Sequence, residues 1–314
     1  MDRPVSPPGP ASPARLPSWD VEALWSRLWE VLPGVSVEVV ARCESTNSLL
    51  LDRVRESGGW PGQPATLPGV LEGAPLAAPP LGRRAVDTLP CLLVAEEQTH
   101  GRGRQGRTWR SVRGASLTFS LALPLAPADW GGLSLAAGVA LADALDPPHG
   151  SVAARIGLKW PNDLWLLDGP GRGRKLGGIL IETLAVGRLR MAVVGVGLNV
   201  APQAVDEARD ERACLHELDP TLSAPQVLHR IAVPLAQALR RHEAEGFGAF
   251  AADYARRDLL RGQAVTTSAA AVPQGVALGV GASGALRVRA PDGTVHEISG
   301  GEVSVRLQQP AAGA

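Results

Sequence analysis

The sequence predicts an α+β protein in which a domain of strands and helices is followed by a small β-barrel. Two observations support this fold class. Between residues 35 and 261, segments with the two-residue period of strands are interspersed with segments of helical period. From residue 262 onward, five short β-branched runs are separated by Gly or Asp-Gly turns, a pattern typical of a small closed barrel. The 45% hydrophobic composition supplies enough apolar surface for a sizeable core.

The first 34 residues are predicted to form a flexible tail and one amphipathic helix. Residues 2–17 are rich in Pro, Ser and Ala and show no apolar periodicity, so they cannot bury enough surface to become ordered. From Trp19 onward, apolar residues recur at helical spacing until Pro33 and Gly34. One helix is too little chain for a three-helix DNA-reading module, so we expect no nucleic-acid-binding domain here.

Residues 35–261 are predicted to form the central domain, and residues 262–314 the C-terminal one. We expect strands at 35–41, 91–95 and 116–123, one pair of strands within 156–167 and a second pair within 176–200. We expect one helix that begins at Ser45 and three more at 133–145, 225–241 and 247–260. Residues 58–90 are crowded with Gly and Pro, so we expect a long, mobile surface insertion there.

Charge and cysteine content exclude several classes of protein. The formal net charge is zero and the pI is about 7.0, so no overall field attracts nucleic acid or anionic lipid. Three widely spaced cysteines argue against a disulfide framework and a Cys-x-x-Cys metal site, and they fit a reducing compartment. The N-terminus lacks a secretory apolar region and no stretch reaches membrane-spanning length, so we expect a cytoplasmic protein.

Lysine and asparagine are scarce, and their positions are informative. Only Lys159 and Lys175 among the 31 basic residues are lysines, and the three asparagines are Asn47, Asn162 and Asn199. All five lie in four short phrases, namely STN at 45–47, KWPND at 159–163, KLGGILIE at 175–182 and GVGLN at 195–199. Because a compact ammonium and a planar guanidinium do different work, the two lysines are candidates for a chemical role. Chance is the alternative explanation.

The densest phrase is GRGRQGRTW at residues 101–109. Its glycines allow the backbone to approach a ligand closely, and Arg102, Arg104 and Arg107 offer donors for carboxylate and phosphate oxygens. The pattern predicts a loop that closes over an anion; the alternative is an RGG-like segment that touches RNA without specificity. There is no Walker loop, so a nucleotide would be held by another device.

Two further phrases lie on the predicted strand pairs. In KWPND, residues 159–163, Pro161 breaks a ladder and leaves Asn162 and Asp163 in a turn, where they can bond to their own backbone or to a nucleotide and magnesium. Glycines at 177–178 and at 195 and 197 predict either a floor for a flat molecule or a β-bulge.

These phrases resemble those of biotin protein ligases in order and approximate spacing. The resembling segments are Ser-Thr-Asn at 45–47, the Gln98 to Trp109 phrase, KWPND, RKLGGILIE at 174–182 and GVGLN at 195–199, and the C-terminal motifs at 284–306 resemble that family's SH3-like domain. The resemblance covers roughly residues 35–307. It implies a mixed β-sheet catalytic domain of the class II synthetase-like type with helices packed on it. The winged helix of the bifunctional repressor type has no counterpart here, which implies a monofunctional enzyme.

The resemblance also implies an activity. Biotin and ATP, with Mg²⁺, would give biotinyl-5′-AMP, and a lysine of a biotin carboxyl carrier protein would then accept biotin; a homodimer is compatible with the family. Lys175, Arg102 and Arg104 would be catalytic. Biotin would contact Ser45, Thr46, Asn47, Gln98, Gly101, Arg102, Lys175, Gly178, Gly195 and Gly197. The adenylate would contact Arg104, Arg107, Trp109, Lys159, Asn162 and Asn199, and Asp163 would bind magnesium.

Two rival interpretations remain at this stage. A lipoate ligase or lipoyl/octanoyl transferase shares the fold and lysine chemistry but lacks the glycine–arginine phrase. A non-catalytic nucleic-acid-binding module would use the arginines for backbone contacts, which zero net charge disfavours.

Overall fold

The computed structural model describes residues 18–57, 76–81, 88–148, 153–169, 171–203, 212–300 and 303–307. The predicted tail at residues 2–17 and most of the predicted insertion at 58–90 lie outside the described residues, so both remain predictions.

Eight strands form the main sheet. They are β1 Ser36–Cys43, β2 Leu76–Leu81, β3 Cys91–Gln98, β4 Ser116–Pro124, β5 Ile156–Lys159, β6 Asp163–Gly169, β7 Arg172–Val186 and β8 Leu189–Asn199. Their order across the sheet is β2-β1-β3-β4-β8-β7-β6-β5. Strands β1 and β3 are parallel, and the other neighbours are antiparallel. The predicted mixed sheet is therefore confirmed.

Strand β2 lies inside the segment that we predicted to be a surface insertion, so that prediction is wrong for residues 76–81. The strand pairs antiparallel with β1 through an irregular register. Proline lacks the N–H that a central strand needs, and Pro79 and Pro80 are tolerated because β2 is an edge strand. Proline content misled the sequence interpretation because it excludes a central strand but not an edge strand.

Helices cover both faces of the main sheet. They are α1 Val21–Trp29, α2 Thr46–Ser57, α3 Leu133–Leu145, α4 Ala224–Glu245 and α5 Ala251–Arg257. Helix α2 packs on one face in a core that includes Met191 and Val193, whereas α1, α3 and α4 share the opposite core with Val194 and Val196. Because side chains alternate along β8, Gly195 faces the α2 side as Val193 does. Because Gly195 has no side chain, it leaves space between the sheet and α2.

The C-terminal segment forms a separate antiparallel sheet of five strands. They are β9 Ala264–Thr267, β10 Gln274–Val280, β11 Leu286–Arg289, β12 Val295–Ile298 and β13 Val305–Leu307, in the order β12-β11-β10-β9-β13. The five predicted runs and the SH3-like character are confirmed; within the described residues no ladder joins the outer strands β12 and β13. The indole of Trp160 donates to Gly284 O at 3.1 Å, which fixes this sheet beside the β5–β6 turn.

The chain enters the C-terminal sheet through a buried carboxylate, Asp258. Its Oδ1 accepts from Leu260 N at 2.9 Å, while its buried Oδ2 has no hydrogen-bond partner among the described residues. Burial raises the pKa of Asp258 from 3.8 to about 6. Burial also raises the pKa of the nearby Tyr254 hydroxyl, and the charge of Asp258 adds to that effect. The junction therefore holds a carboxyl group whose charged form is disfavoured by burial.

We predict that Asp258→Asn stabilises the protein at pH 8. A folded pKa above the unfolded value gives stability that is complete below pH 4 and is lost as pH rises through about 6. The shift in pKa corresponds to a loss of roughly 2 to 3 kcal/mol in the free energy of unfolding. An asparagine at position 258 does not ionise and therefore avoids this loss. Urea unfolding at pH 4.5 and pH 8 measures the effect, with Asp253→Asn on α5 as the matched control. An unchanged pH dependence in Asp258→Asn would contradict the assignment.

Candidate functional site

A cavity of about 1300 Å³ lies on the α2 face of the main sheet. Its walls come from the start of α2, the loop at residues 101–109, the β5–β6 turn, the middle of β7 and β8, and β13 of the C-terminal sheet. All the site residues predicted from the sequence line it except Gly101 and Asn199. Six separate segments of chain therefore meet where the sequence predicted one site.

One end of the cavity is a buried polar network at the start of α2. Gln98 Oε1 accepts from Thr46 N at 2.7 Å, which caps the helix from a neighbouring strand. The Ser120 hydroxyl lies 2.6 Å from both Thr46 Oγ1 and Asn47 Oδ1. Ser45 lines the cavity beside them and is 4% exposed. Hydroxyl and amide groups at fixed positions in such a wall can recognise a polar ring.

Asn47 is held by protein groups on both sides of its amide. Its Nδ2 donates to Leu180 O at 3.2 Å and to Glu182 Oε2 at 2.9 Å, while its Oδ1 lies beside Ser120. The side chain therefore fastens the start of α2 to β7.

The glycines of β8 make room for protein side chains. A Cβ on Gly195 would lie 2.2 Å from Asn47 Oδ1, and one on Gly197 would lie 2.4 Å from the Trp109 ring. A Cβ on Gly178 would lie 3.3 Å from Asp163 Oδ1. The predicted glycine floor is thus covered in part by Asn47 and Trp109, which approach the bare backbone.

Residues 101–109, which we call the arginine loop, form a short ordered hairpin between β3 and β4. Gly103 N donates to Arg107 O at 2.7 Å, and Trp109 N donates to Gly101 O at 2.8 Å. The tip needs left-handed backbone at Gln105 and Gly106, with φ of 56° and 70°. A Cβ on Gly101 would lie 2.4 Å from Trp109 O, so this glycine lets the hairpin close although it does not line the cavity.

The arginines of the loop reach different partners. Arg102 donates to Glu182 Oε1 at 3.1 Å and to Ser48 Oγ at 3.3 Å. Arg104 donates to Asn162 Oδ1 at 3.3 Å, to Val303 O at 3.4 Å and to Gly300 O. Burial lowers the pKa of Arg104, and the charge of Asp163 partly offsets that effect. Arg104 thus joins the loop to both the β5–β6 turn and the connection between β12 and β13, while Arg107 lines the cavity.

The KWPND phrase connects β5 and β6 with Asn162 in the turn as predicted, whereas Asp163, also predicted in the turn, is the first residue of β6 and pairs with Lys159. Asn162 Nδ2 donates to Ile179 O at 2.6 Å, and Ile179 N donates back to Asn162 O at 2.9 Å. The Lys159 ammonium lies 4.5 Å from the centre of the Trp165 ring, a cation–π contact. The turn is thus tied to the middle of β7.

Lys175 and Asp163 face each other in the cavity. Lys175 Nζ lies 2.8 Å from Asp163 Oδ1, and their side chains are 36% and 21% exposed. Partial exposure leaves the ammonium accessible to an incoming anion. Asn199 supports this strand from outside the cavity, since its Nδ2 donates to Ala213 O at 3.0 Å and to Lys175 O at 3.4 Å.

The described residues contain no cluster of three or more His, Cys, Asp or Glu side chains suited to a metal ion. Asp163 and Asp168 are the acidic residues that line the cavity. Asp168 is bonded through both oxygens to Arg174, whose hydrogen bonds lower the pKa of that carboxyl. The donor set therefore fits Mg²⁺ only as an ion that brings phosphate oxygens and adds at most one carboxylate.

Sequence reasoning missed two parts of this site. Glu182 stood at the end of a recognised phrase but received no role, although a carboxylate on a cavity strand was a usable signal. The contribution of residues 303–307 carried no signal, because their contact with Arg104 joins positions almost 200 residues apart.

Comparison with known proteins shows which family model and which fold this chain matches. The model of the biotin/lipoate A/B protein ligase family matches residues 89–199, which carry every predicted site residue except those at the start of α2. The solved structure of a biotin protein ligase from Aquifex aeolicus in complex with biotin and ATP superimposes with a TM-score of 0.62 at 23% identity, covering 87% of this chain and 99% of that chain. This likeness shows that the fold is shared.

Two relatives identify the family. The bifunctional ligase/repressor BirA of Salmonella typhimurium is 32% identical over 286 residues, covering 89% of this chain and 77% of the relative. The biotin–[acetyl-CoA-carboxylase] ligase of Paracoccus denitrificans is 33% identical over 218 residues, covering 64% of this chain and 85% of the relative. The chain belongs to the biotin protein ligase family.

Proposed function

We propose that this protein is a ligase that activates biotin with ATP to biotinyl-5′-AMP and transfers biotin to a lysine of a carrier protein. One observation carries the proposal: the Lys175 ammonium, the arginine loop and the polar network at the start of α2 line a single cavity. Joining a small carboxylic acid to a phosphate requires cations near the reacting oxygens and polar groups that recognise the acid, and this cavity has both.

Charge repulsion is the main obstacle in the first step. A carboxylate and a phosphate oxygen about 4 Å apart repel by roughly 4 kcal/mol at an effective dielectric near 20. Lys175, Arg102 and Arg107 offer donors to those oxygens, and donors fixed before the reaction are the most effective form of electrostatic catalysis. The accessible Lys175 ammonium can follow the oxygens as the bond forms, since it is a compact point charge.

The ion pair with Asp163 suggests how the Lys175 ammonium is positioned before substrates bind. At 2.8 Å the carboxylate fixes the ammonium at the cavity wall, and incoming anions compete for it. Asp163 would be the residue that holds a Mg²⁺ arriving with ATP when Lys175 contacts the substrates. Magnesium would neutralise phosphate charge.

The remaining residues divide by their place in the cavity. Ser45, Thr46 and Gln98 would hydrogen-bond the ureido ring of biotin, and Asn47 would support them. Trp109 and the glycines at 101, 178, 195 and 197 would shape the biotin pocket. Lys159 and Asn162 would serve the nucleotide end with Arg104, and Asn199 would act from behind by holding β7 in place.

The acceptor would be a biotin carboxyl carrier protein domain, and we propose that the reaction takes place in the cytoplasm, with a homodimer compatible with the fold. None of the helices in the described part of the chain combines the length and the apolar character that a bilayer crossing demands. Both relatives described above are named as ligases, and the Paracoccus relative is named for biotin, which favours biotin over lipoate as the substrate.

The direct test of the function is biotin attachment. The full chain is incubated with MgATP, biotin and a carrier domain, and intact-mass spectrometry follows the carrier. We expect the carrier to gain the mass of one biotinyl group only when ATP is present. Attachment of lipoate in place of biotin would favour the lipoate ligase alternative, and no attachment of either would refute the proposal.

Lys175→Arg should lower adenylate formation by at least about tenfold, because a planar fork cannot follow the moving phosphate oxygens as a point charge does. Biotin-dependent exchange between pyrophosphate and ATP measures this step alone. Lys159→Arg is the comparison, since an arginine preserves the contact with the Trp165 ring. We expect it to lose less activity than Lys175→Arg. Near-wild-type exchange in Lys175→Arg would contradict the proposed role.

Arg104→Ala should release biotinyl-5′-AMP into solution. Its guanidinium ties the arginine loop to Asn162 and to the connection between β12 and β13, and loss of those contacts would open the cavity to water. Chromatography of the free adenylate after gel filtration measures the leak. Arg110→Ala is the control, because Arg110 follows the loop and does not line the cavity. An intermediate that stays bound in Arg104→Ala would count against closure by the loop.

A further inference from the structure

Glu182 lies behind the cavity and binds two of its walls at once. On β7, its Oε1 accepts from Arg102 Nη2 at 3.1 Å and its Oε2 accepts from Asn47 Nδ2 at 2.9 Å. Glu182 itself does not line the cavity, whereas Arg102 and Asn47 do. One carboxylate thus connects the arginine loop to the start of α2.

This arrangement leaves Arg102 able to bind an anion. A guanidinium has five N–H donors, and the described contacts of Arg102 to Glu182 and Ser48 use two of them. Arginine side chains at half-exposed positions sample many rotamers, and that of Arg102 is 50% exposed. The Glu182 carboxylate therefore restricts the positions that the Arg102 guanidinium adopts before an anion binds.

The same carboxylate fixes the recognition wall. Asn47 is 3% exposed and reaches Ser120, which also touches Thr46. Asn47 Nδ2 has two acceptors, and removing the shorter bond, to Glu182, would leave only Leu180 O at 3.2 Å and loosen the Thr46 side of the network. Both consequences fall on ligand binding and not on the Lys175–Asp163 pair, which lies on β7 and β6 and does not contact Glu182 in the described residues.

We propose that Glu182 is a positioning residue for the reaction: it fixes Arg102 and Asn47 together and so sets the affinity for biotin without touching the substrate. This inference rests on the proposed function. It assigns biotin affinity to a partly exposed connection between the loop and α2, so biotin binding and loop position are set by the same side chain.

Glu182→Gln tests the connection with little change of shape. A carboxylate accepts through both oxygens, but an amide has one acceptor and turns its NH₂ towards either Arg102 or Asn47, which are both donors. One contact is therefore lost. We expect KM for biotin to rise at least about tenfold, as for loss of a hydrogen bond to a charged group, while kcat falls less than about threefold.

Glu243→Gln is the matched control. Glu243 on α4 also uses both oxygens, accepting from Arg240 Nη1 at 2.9 Å and from Ala126 N at 2.7 Å, and its side chain is 26% exposed against 24% for Glu182. Glu243 does not line the cavity. A purely structural cost of losing such a bridge would appear in both variants, whereas a higher KM for biotin should appear only in Glu182→Gln.

Two further measurements separate the outcomes. Calorimetric titration with biotin alone should show the same loss of affinity, and the double variant Arg102→Ala/Glu182→Gln should lose little beyond Arg102→Ala, because the two residues act together. If Glu182→Gln does not fold, Glu182→Asp keeps the charge but cannot reach both partners, and it should show the rise in KM. A wild-type KM in a folded variant, or fully additive losses, would overturn the inference. Failure of the wild-type protein to bind biotin would instead refute the proposed function.

Discussion

The close approach of Asn47 and Trp109 to the bare backbone of β8 is the constraint on which the site depends. Gly195 and Gly197 lie on the face of the sheet that α2 covers, and any Cβ there would collide with one of these two side chains. Because Asn47 begins α2 and Trp109 ends the arginine loop, the two glycines bring both elements down onto one pair of strands. The cavity is the space left between them, and Glu182 closes the connection from behind.

The cavity lining carries more cations than carboxylates, and in the described part of the chain three of those cations are ion-paired. Lys175 faces Asp163, Arg102 faces Glu182, and Arg174 is bonded to Asp168 and Glu217. These pairs differ in what they leave accessible. The bidentate contacts of Arg174 raise its own pKa and lower that of Glu217, which marks a fixed structural cluster. Among the described residues Lys175 has one carboxylate partner, at a partly exposed position, and we propose that anionic substrates compete for it.

Much of the fold could be predicted because its signals are local. Strand and helix periods located the main elements, and rare lysines and asparagines located the cavity. The features that could not be predicted depend on contacts between distant segments or on the position of a strand within the sheet. Pro79 and Pro80 hid an edge strand, since proline excludes only the central position. Sequence alone did not reveal that Asn47 packs against Gly195, that Asn199 supports the site from outside, or that Arg104 reaches residues 300 and 303 between β12 and β13.

The central claim is that one mobile ammonium turns from a protein carboxylate to the reacting oxygens. A crystal structure of the protein with biotin and a non-hydrolysable ATP analogue measures this directly. The account predicts that Lys175 Nζ leaves Asp163 and lies within about 3.2 Å of an oxygen of the biotin carboxylate or the α-phosphate. A ternary complex in which Lys175 still faces Asp163, with no contact between its ammonium and either substrate, would contradict the account.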